Sequence, residues 1–236
     1  MEEKARLKFL AVMGIKVWVS RNNSLPAVTK ASARIESLES PKEECHDVAK
    51  DSSNWQQLTS NVDSCRRCMH CQHRTHAIVG EGNKRADLMF IGAAPDETED
   101  RLGVPFVGAS GQLLTEMISA MGWIREDVYL TNIVKCKVVG DPKSIQLVVK
   151  ECLPYLEQQI QWVNPKIILA VGEVAAKALL ASDKSMNQIS GTIHDRNEIP
   201  LMAILHPAQL LQEPLEKRKT WLDLQVVLNC LKNGVN

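Results

Sequence analysis

The residues best suited to chemistry fall into three groups. The stretch "SCRRCMHC" sets Cys65, Cys68 and Cys71 at Cys-x2-Cys-x2-Cys spacing, with Cys136 and Cys152 further along the chain. Four thiolates can hold a structural zinc or a 4Fe-4S cluster, and spacing alone does not separate the two. The plainer reading is one Cys-x2-Cys pair plus unrelated buried cysteines. Cys65 and Cys68 sit in a polar, arginine-rich turn where a core thiol gains nothing, which favours the metal. Cys45 and Cys230 are left as non-ligands. The second group is "FIGAAPDETEDRLGVPFVG", Phe90 to Gly108, where an apolar run stops at Gly92 and presents Asp96, Glu97, Glu99 and Asp100. Those carboxylates either serve a reacting water or cation or form a solvated acidic turn. The third group is Asn132, whose amide both donates and accepts, and His206, whose imidazole titrates near neutrality.

The elements that must position these groups follow an α/β pattern. Four strand-like apolar runs, Ala86–Gly92, Val128–Val134, Lys166–Gly172 and Pro200–His206, are separated by helical segments near Gly111–Met121, Ser144–Trp162 and Glu173–Ala181. Alternation of this kind implies a parallel sheet with helices on both faces and a ligand site beyond the carboxyl ends of the strands. The candidate residues follow those ends, at Ala93 to Asp100, Asn132 to Cys136, Gly172, and His206 to Leu211.

The chain has 236 residues, 44% of them hydrophobic, enough for one well-buried domain with something left over. Twenty-eight basic residues balance 28 acidic ones, so net charge points to no particular partner. No run reaches the roughly 20 apolar residues of a membrane span, and the first twenty residues lack a secretory cleavage site. A cytoplasmic location is expected, where cysteines serve as ligands or core residues rather than in disulfides. The chain divides into an amphipathic segment at 1–21, a linker at 22–60 rich in Ser, Lys, Glu and Asp, and a domain at 61–236.

The order of motifs resembles the family 4 uracil-DNA glycosylases, the iron-sulfur branch of that superfamily, over about Asp63 to Leu231. The resemblance rests on "CRRC", "HRTHAIVGEGN", "FIGAAPDETEDRLGVPFVGASGQLL", "YLTNIVKCK", "EC" at 151–152, "IILAVGEVAAKALL" and "HPAQLL". It implies a three-layer α/β/α sandwich around a four-stranded parallel sheet. It also implies hydrolysis of the N-glycosidic bond of uracil in single- or double-stranded DNA, by a monomer, leaving an abasic site. The implied cluster ligands are Cys65, Cys68, Cys136 and Cys152, with Cys71 spare.

Removing a base requires it to be flipped out, held by face and edge, and stabilised as charge develops on it. Phe106 would stack on the ring, Asn132 would read its edge, Ala93 and Ala94 would line the pocket, and His206 would donate to the uracil oxygen. Asp96 and Glu99 would serve the water or the selectivity. Gly108, Ser110 and Gly111 at a helix start would meet phosphate, and Leu210 and Leu211 would wedge into the base stack. Each has a plainer reading as core, cap or turn.

The family's first motif usually reads Gly-Glu-Ala-Pro-Gly, but Ala93 stands here for the Glu and Asp96 for the second Gly. Three consequences compete: retained activity with Asp96 or Glu99 serving the water, loss of activity leaving a DNA-binding or replication-associated adaptor, or altered base preference. Ala109 and Gln212 stand where arginine is common, which removes phosphate contacts. At the N-terminus, "LKFLAVMGIKVWVSR" resembles a segment of the clamp-loader psi subunit through Leu10, Met13, Gly14, Ile15, Trp18 and Arg21. That resemblance implies a tethered contact with replication machinery.

Overall fold

A computed structural model describes residues 48–140 and 143–233. The first described element, α1 (Val48–Asp63), corrects the expected linker, since residues 48–60 belong to this helix. Trp55, Leu58 and Val62 recur at helical spacing on one face, and all three are buried in the main core. Trp55 packs against Tyr129 at 5.5 Å and edge-on to Trp162 at 5.4 Å. Each such side chain stabilises the fold by roughly 1.5–3 kcal/mol, which the polar composition of the flanking sequence obscured. The amphipathic segment 1–21, its clamp-loader resemblance and the remainder of the linker at 22–47 lie outside the described residues.

From α1 the chain passes through the cysteine loop, which contains a 3-10 turn at Met69–Gln72, to β1 (Glu81–Gly82) and β2 (Leu88–Gly92). Then come α2 (Glu97–Leu102), α3 (Gly108–Met121), β3 (Tyr129–Asn132), α4 (Lys143–Val163), β4 (Ile167–Val171) and α5 (Glu173–Leu180). The chain continues through α6 (Met186–Ile189), β5 (Ile193–Arg196), β6 (Ile199–Ile204), α7 (Pro207–Gln212) and α8 (Lys217–Asn233).

The sheet order is β1-β3-β2-β4-β6-β5. Its four central strands are parallel and correspond to the four apolar runs. The expected α/β sandwich is therefore present, with a six-stranded mixed sheet because β1 and β5 add antiparallel edges. Two-residue β1 and half-buried β5 lacked the continuous apolar signature that the central strands owe to burial on both faces. No helix among the described residues is long and apolar enough to cross a membrane. The register pairs Gly92 with Asn132 and Val171 with Ile204, so the carboxyl ends of the parallel strands lie side by side.

Candidate active site

Three of the sequence-predicted residues meet where β2, β3 and β6 end. A Cβ placed on Gly92 would lie 2.2 Å from Asn132 Oδ1 and 2.9 Å from Phe106 Cζ, so only glycine lets the amide and the ring approach this closely. The rings of Phe106 and His206 are 6.4 Å apart and inclined by 30°. Gly172, at the end of β4, takes φ 89°, and a Cβ there would lie 3.2 Å from His206 Cβ. The glycines thus give Asn132, Phe106 and His206 their room.

Asn132 is 2% exposed, and its Nδ2 has no hydrogen-bond partner. An unsatisfied buried donor costs about 1–3 kcal/mol, and at the carboxyl ends of the strands this one is free to take an acceptor from a ligand. Beneath it, Lys135 Nζ donates to Asn132 O at 2.6 Å, Thr131 Oγ1 at 2.8 Å and Gln159 Oε1 at 2.6 Å. Burial pushes the Lys135 ammonium down to about 7. Gln159 in turn donates to Val79 O and the Tyr129 hydroxyl, which ties the end of β3 to α4.

His206 is the N-cap of α7, and its Nδ1 accepts from the Ala208 N–H at 3.2 Å. Nδ1 cannot then carry the proton of a neutral ring, so the proton sits on Nε2 and that nitrogen is a donor. Burial lowers the His206 pKa and favours the neutral form, while the charge of Asp96 pulls the other way.

The carboxylates divide into scaffold and surface. Asp96 caps α2, its Oδ1 accepting from Thr98 N and Glu99 N at 2.8 Å each. Glu99 is 6% exposed; its Oε2 accepts from Asp96 N at 2.8 Å and its Oε1 from Phe106 N. Burial pushes the Glu99 carboxyl above its ordinary value, and these two N–H groups offset part of the rise. Glu99, expected beside the water, is instead a buried backbone clamp with both oxygens engaged. Asp100, also buried, accepts from Thr75 N at 2.9 Å and His76 N at 3.3 Å. Burial opposes its ionised form, but these donors and the Lys137 ammonium outweigh burial and hold its pKa below the ordinary value. Asp96 alone of the three is exposed.

Two DNA-facing expectations also change. Leu210 is 1% exposed within the core, whereas Leu211 is 44% exposed, so a single residue step around the helix separates core from surface. Gly111 is buried, its N–H donates to Val107 O at 3.3 Å, and a Cβ there would fall 1.9 Å from Phe106 O. Its lack of a side chain serves packing rather than phosphate. Gly108 and Ser110 do lie in the first turn of α3, with Gly108 exposed. Ala93 and Ala94 are half-buried after β2; Ala93 packs on the main core and Ala94 on the cluster of Val134, Val148 and Cys152.

The thiols gather on one side of this site. Cys136 and Cys152 are buried, and Cys65, Cys68 and Cys71 are half-buried. Burial raises the Cys136 pKa and takes that of Cys152 to about 11, and both also respond to the charge of Cys68. Arg74 Nη1 donates to Cys136 Sγ at 2.9 Å, and its Nη2 donates to Cys65 O at 3.3 Å. Arg74 was visible in the sequence only as part of "HRTHAIVGEGN"; nothing in its spacing showed that it would wrap the thiol loop. Among the described residues no three His, Cys, Asp or Glu side chains converge tightly enough to hold one metal ion.

Residues 79–225 match the uracil DNA glycosylase superfamily. The chain is 36% identical over 177 residues to a Type-4 uracil-DNA glycosylase of Pyrobaculum aerophilum, covering 72% of this chain and 90% of that protein. It is 33% identical to the protein of that name in Archaeoglobus fulgidus, over 66% of this chain and 83% of the relative. A third, from Thermotoga maritima, is 33% identical over 70% of this chain and 93% of the relative.

Proposed function

The chain belongs to the uracil DNA glycosylase superfamily, and from that membership we propose that it hydrolyses the N-glycosidic bond of deoxyuridine in DNA. The observation that carries the proposal is the convergence of a fixed Nε2 donor on His206, an unpartnered amide donor on Asn132 and the Phe106 ring at adjacent strand ends. Uracil extruded from the stack lies against Phe106, and Asn132 Nδ2 gains the acceptor it lacks in the free protein. The C1′–N1 bond breaks with its electron pair leaving on N1. The charge spreads to the uracil oxygen, where His206 Nε2–H receives it without giving up its proton. Water adds to C1′, completing the abasic sugar, and its proton passes toward Asp96. Asp96 suits that role better than Glu99 because it is exposed and its charge reaches His206, while both Glu99 oxygens are engaged. Leu211, exposed on α7, is the wedge in place of Leu210. The first turn of α3, with Gly108 and Ser110, faces phosphate.

Cys65, Cys68, Cys136 and Cys152 hold a 4Fe-4S cluster in this reading. Buried thiols with raised pKa values need a cationic partner to ionise. Four thiols contributed by the loop after α1, the end of β3 and α4 are the donor set such a cluster takes. The cluster would tie the loop after α1 to the end of β3 and to α4. Iron and acid-labile sulfide in the purified protein support it, and stoichiometric zinc overturns it. The segment 1–21 would contact the clamp loader; its removal should abolish that pull-down and leave uracil release unchanged.

A second reading, a DNA-binding adaptor without catalysis, draws on Ala93 standing half-buried at the position of the family's Glu. The decisive measurement is uracil release from a single-stranded oligonucleotide by the unmodified protein and by Ala93→Glu. Release by the unmodified protein supports a working site; release by the variant alone supports the adaptor.

A further inference from the structure

Phe106 has φ 52°, a left-handed backbone that is costly for a residue with a Cβ. Such a conformation persists only when its surroundings over-determine it, and both sides of this residue are held. Its N–H goes to the buried Glu99 carboxylate. Its carbonyl accepts from Arg125 Nη2 at 3.1 Å, and the same nitrogen reaches Pro105 O at 2.7 Å. Arg125 is itself anchored: Nε and Nη2 meet Glu81 Oε1 at 2.8 and 2.5 Å, and Nη1 donates to Thr115 Oγ1 at 3.2 Å. A planar guanidinium can serve two carbonyls, a carboxylate and a hydroxyl at once; an ammonium cannot. The charge of Arg125 also acts on the buried Glu99 carboxyl in the direction of ionisation.

We propose that Arg125, braced by Glu81, is a positioning residue for base capture: it fixes the Pro105–Phe106 peptides and so the plane of the ring on which the extruded base stacks. The inference rests on the glycosylase reading given above. Stacking acts on bound substrate and transition state alike, so losing its alignment raises KM and leaves kcat largely unchanged. A base–aromatic stack is worth enough for the rise to reach about ten- to hundred-fold.

The chain contains three phenylalanines, Phe9, Phe90 and Phe106, which makes 4-fluorophenylalanine labelling and fluorine NMR practical. Phe106→Leu assigns its resonance. Arg125→Met should move or broaden the Phe106 resonance and leave that of Phe90, buried in β2, in place. The same variant should raise KM for a uracil-containing oligonucleotide and weaken inhibition by free uracil, and it should add little when combined with Phe106→Leu. An unmoved Phe106 resonance, a fall in kcat at constant KM, or full additivity with Phe106→Leu would overturn the proposal. Should Arg125→Met not fold, Glu81→Gln keeps every Arg125 donor, removes its charged brace, and must give the same changes in smaller measure. If the unmodified protein releases no uracil, the glycosylase reading fails, and the NMR arm alone still decides whether Arg125 sets the ring.

Discussion

Replacing Asn132 with leucine should make the protein more stable and less active. Leucine keeps the branching and the number of side-chain heavy atoms of asparagine, though it is bulkier, and it removes the Nδ2 that is buried without a partner. Relief of that donor is worth about 1–3 kcal/mol, of which roughly 1–2 kcal/mol should remain after imperfect packing beside Gly92. For a domain of this size, about 2–4 °C per kcal/mol puts the rise in Tm near 2–8 °C. Activity moves the other way. An amide paired to a base edge contributes about 1–3 kcal/mol, so kcat/KM should fall by at least about ten- to hundred-fold. Scanning calorimetry with and without free uracil, beside uracil release from a single-stranded oligonucleotide, reads both effects. Uracil should raise the Tm of the unmodified protein and leave that of Asn132→Leu unchanged. A variant that melts earlier and still excises uracil would show that the Asn132 donor is neither strained in the free protein nor used by the base.

Three further perturbations test separate parts of the site. Because burial lowers the His206 pKa below its ordinary 6.5 and Asp96 partly restores it, the His206 imidazole should titrate below pH 6.5 by NMR; Asp96→Asn should move that titration lower still, and a shift upward contradicts the assignment. The same depression means that His206 contributes stability above pH 6.5 that is lost as pH falls through its folded pKa. Glu99→Gln keeps one acceptor where two backbone N–H groups need one each, so it should cost about 2 kcal/mol and lower Tm by about 4–8 °C; unchanged melting would return Glu99 to the list of catalytic candidates. Asp223 is 4% exposed, with Oδ2 unpartnered and its pKa pushed up to about 6 by burial, so stability should rise as pH falls from above 6 toward 3.8. Asp223→Asn should remove that dependence and stabilise the protein near neutral pH by up to about 3 kcal/mol, as denaturant titrations at several pH values would show.

The four central strands were legible because burial on both faces demands continuous apolar runs, and that demand is written locally in the chain. The placement of Asn132 and His206 near one another followed from the same pattern, since ligands gather beyond the carboxyl ends of parallel strands, whereas Phe106, in the loop after α2, was legible only through the motif it belongs to. The thiol spacing and the motif order were equally local. What the residue types could not say was which way each group faces. Glu99 and Asp96 are neighbours in one acidic run, yet one is sealed against the Phe106 N–H and the other is exposed. Leu210 and Leu211 are adjacent, yet only the second reaches solvent. The helix at Val48–Asp63 was hidden by its polar neighbours because three well-spaced apolar residues suffice once a partner surface exists. Sequence alone determined the strands and the inventory of reactive groups, because those depend on the composition of short segments. The tertiary structure decided which carboxylate is scaffold, which nitrogen of His206 carries the proton, and that Arg125 holds Phe106, because each depends on how side chains turn and meet in the folded chain, whether across a short loop or between separate elements.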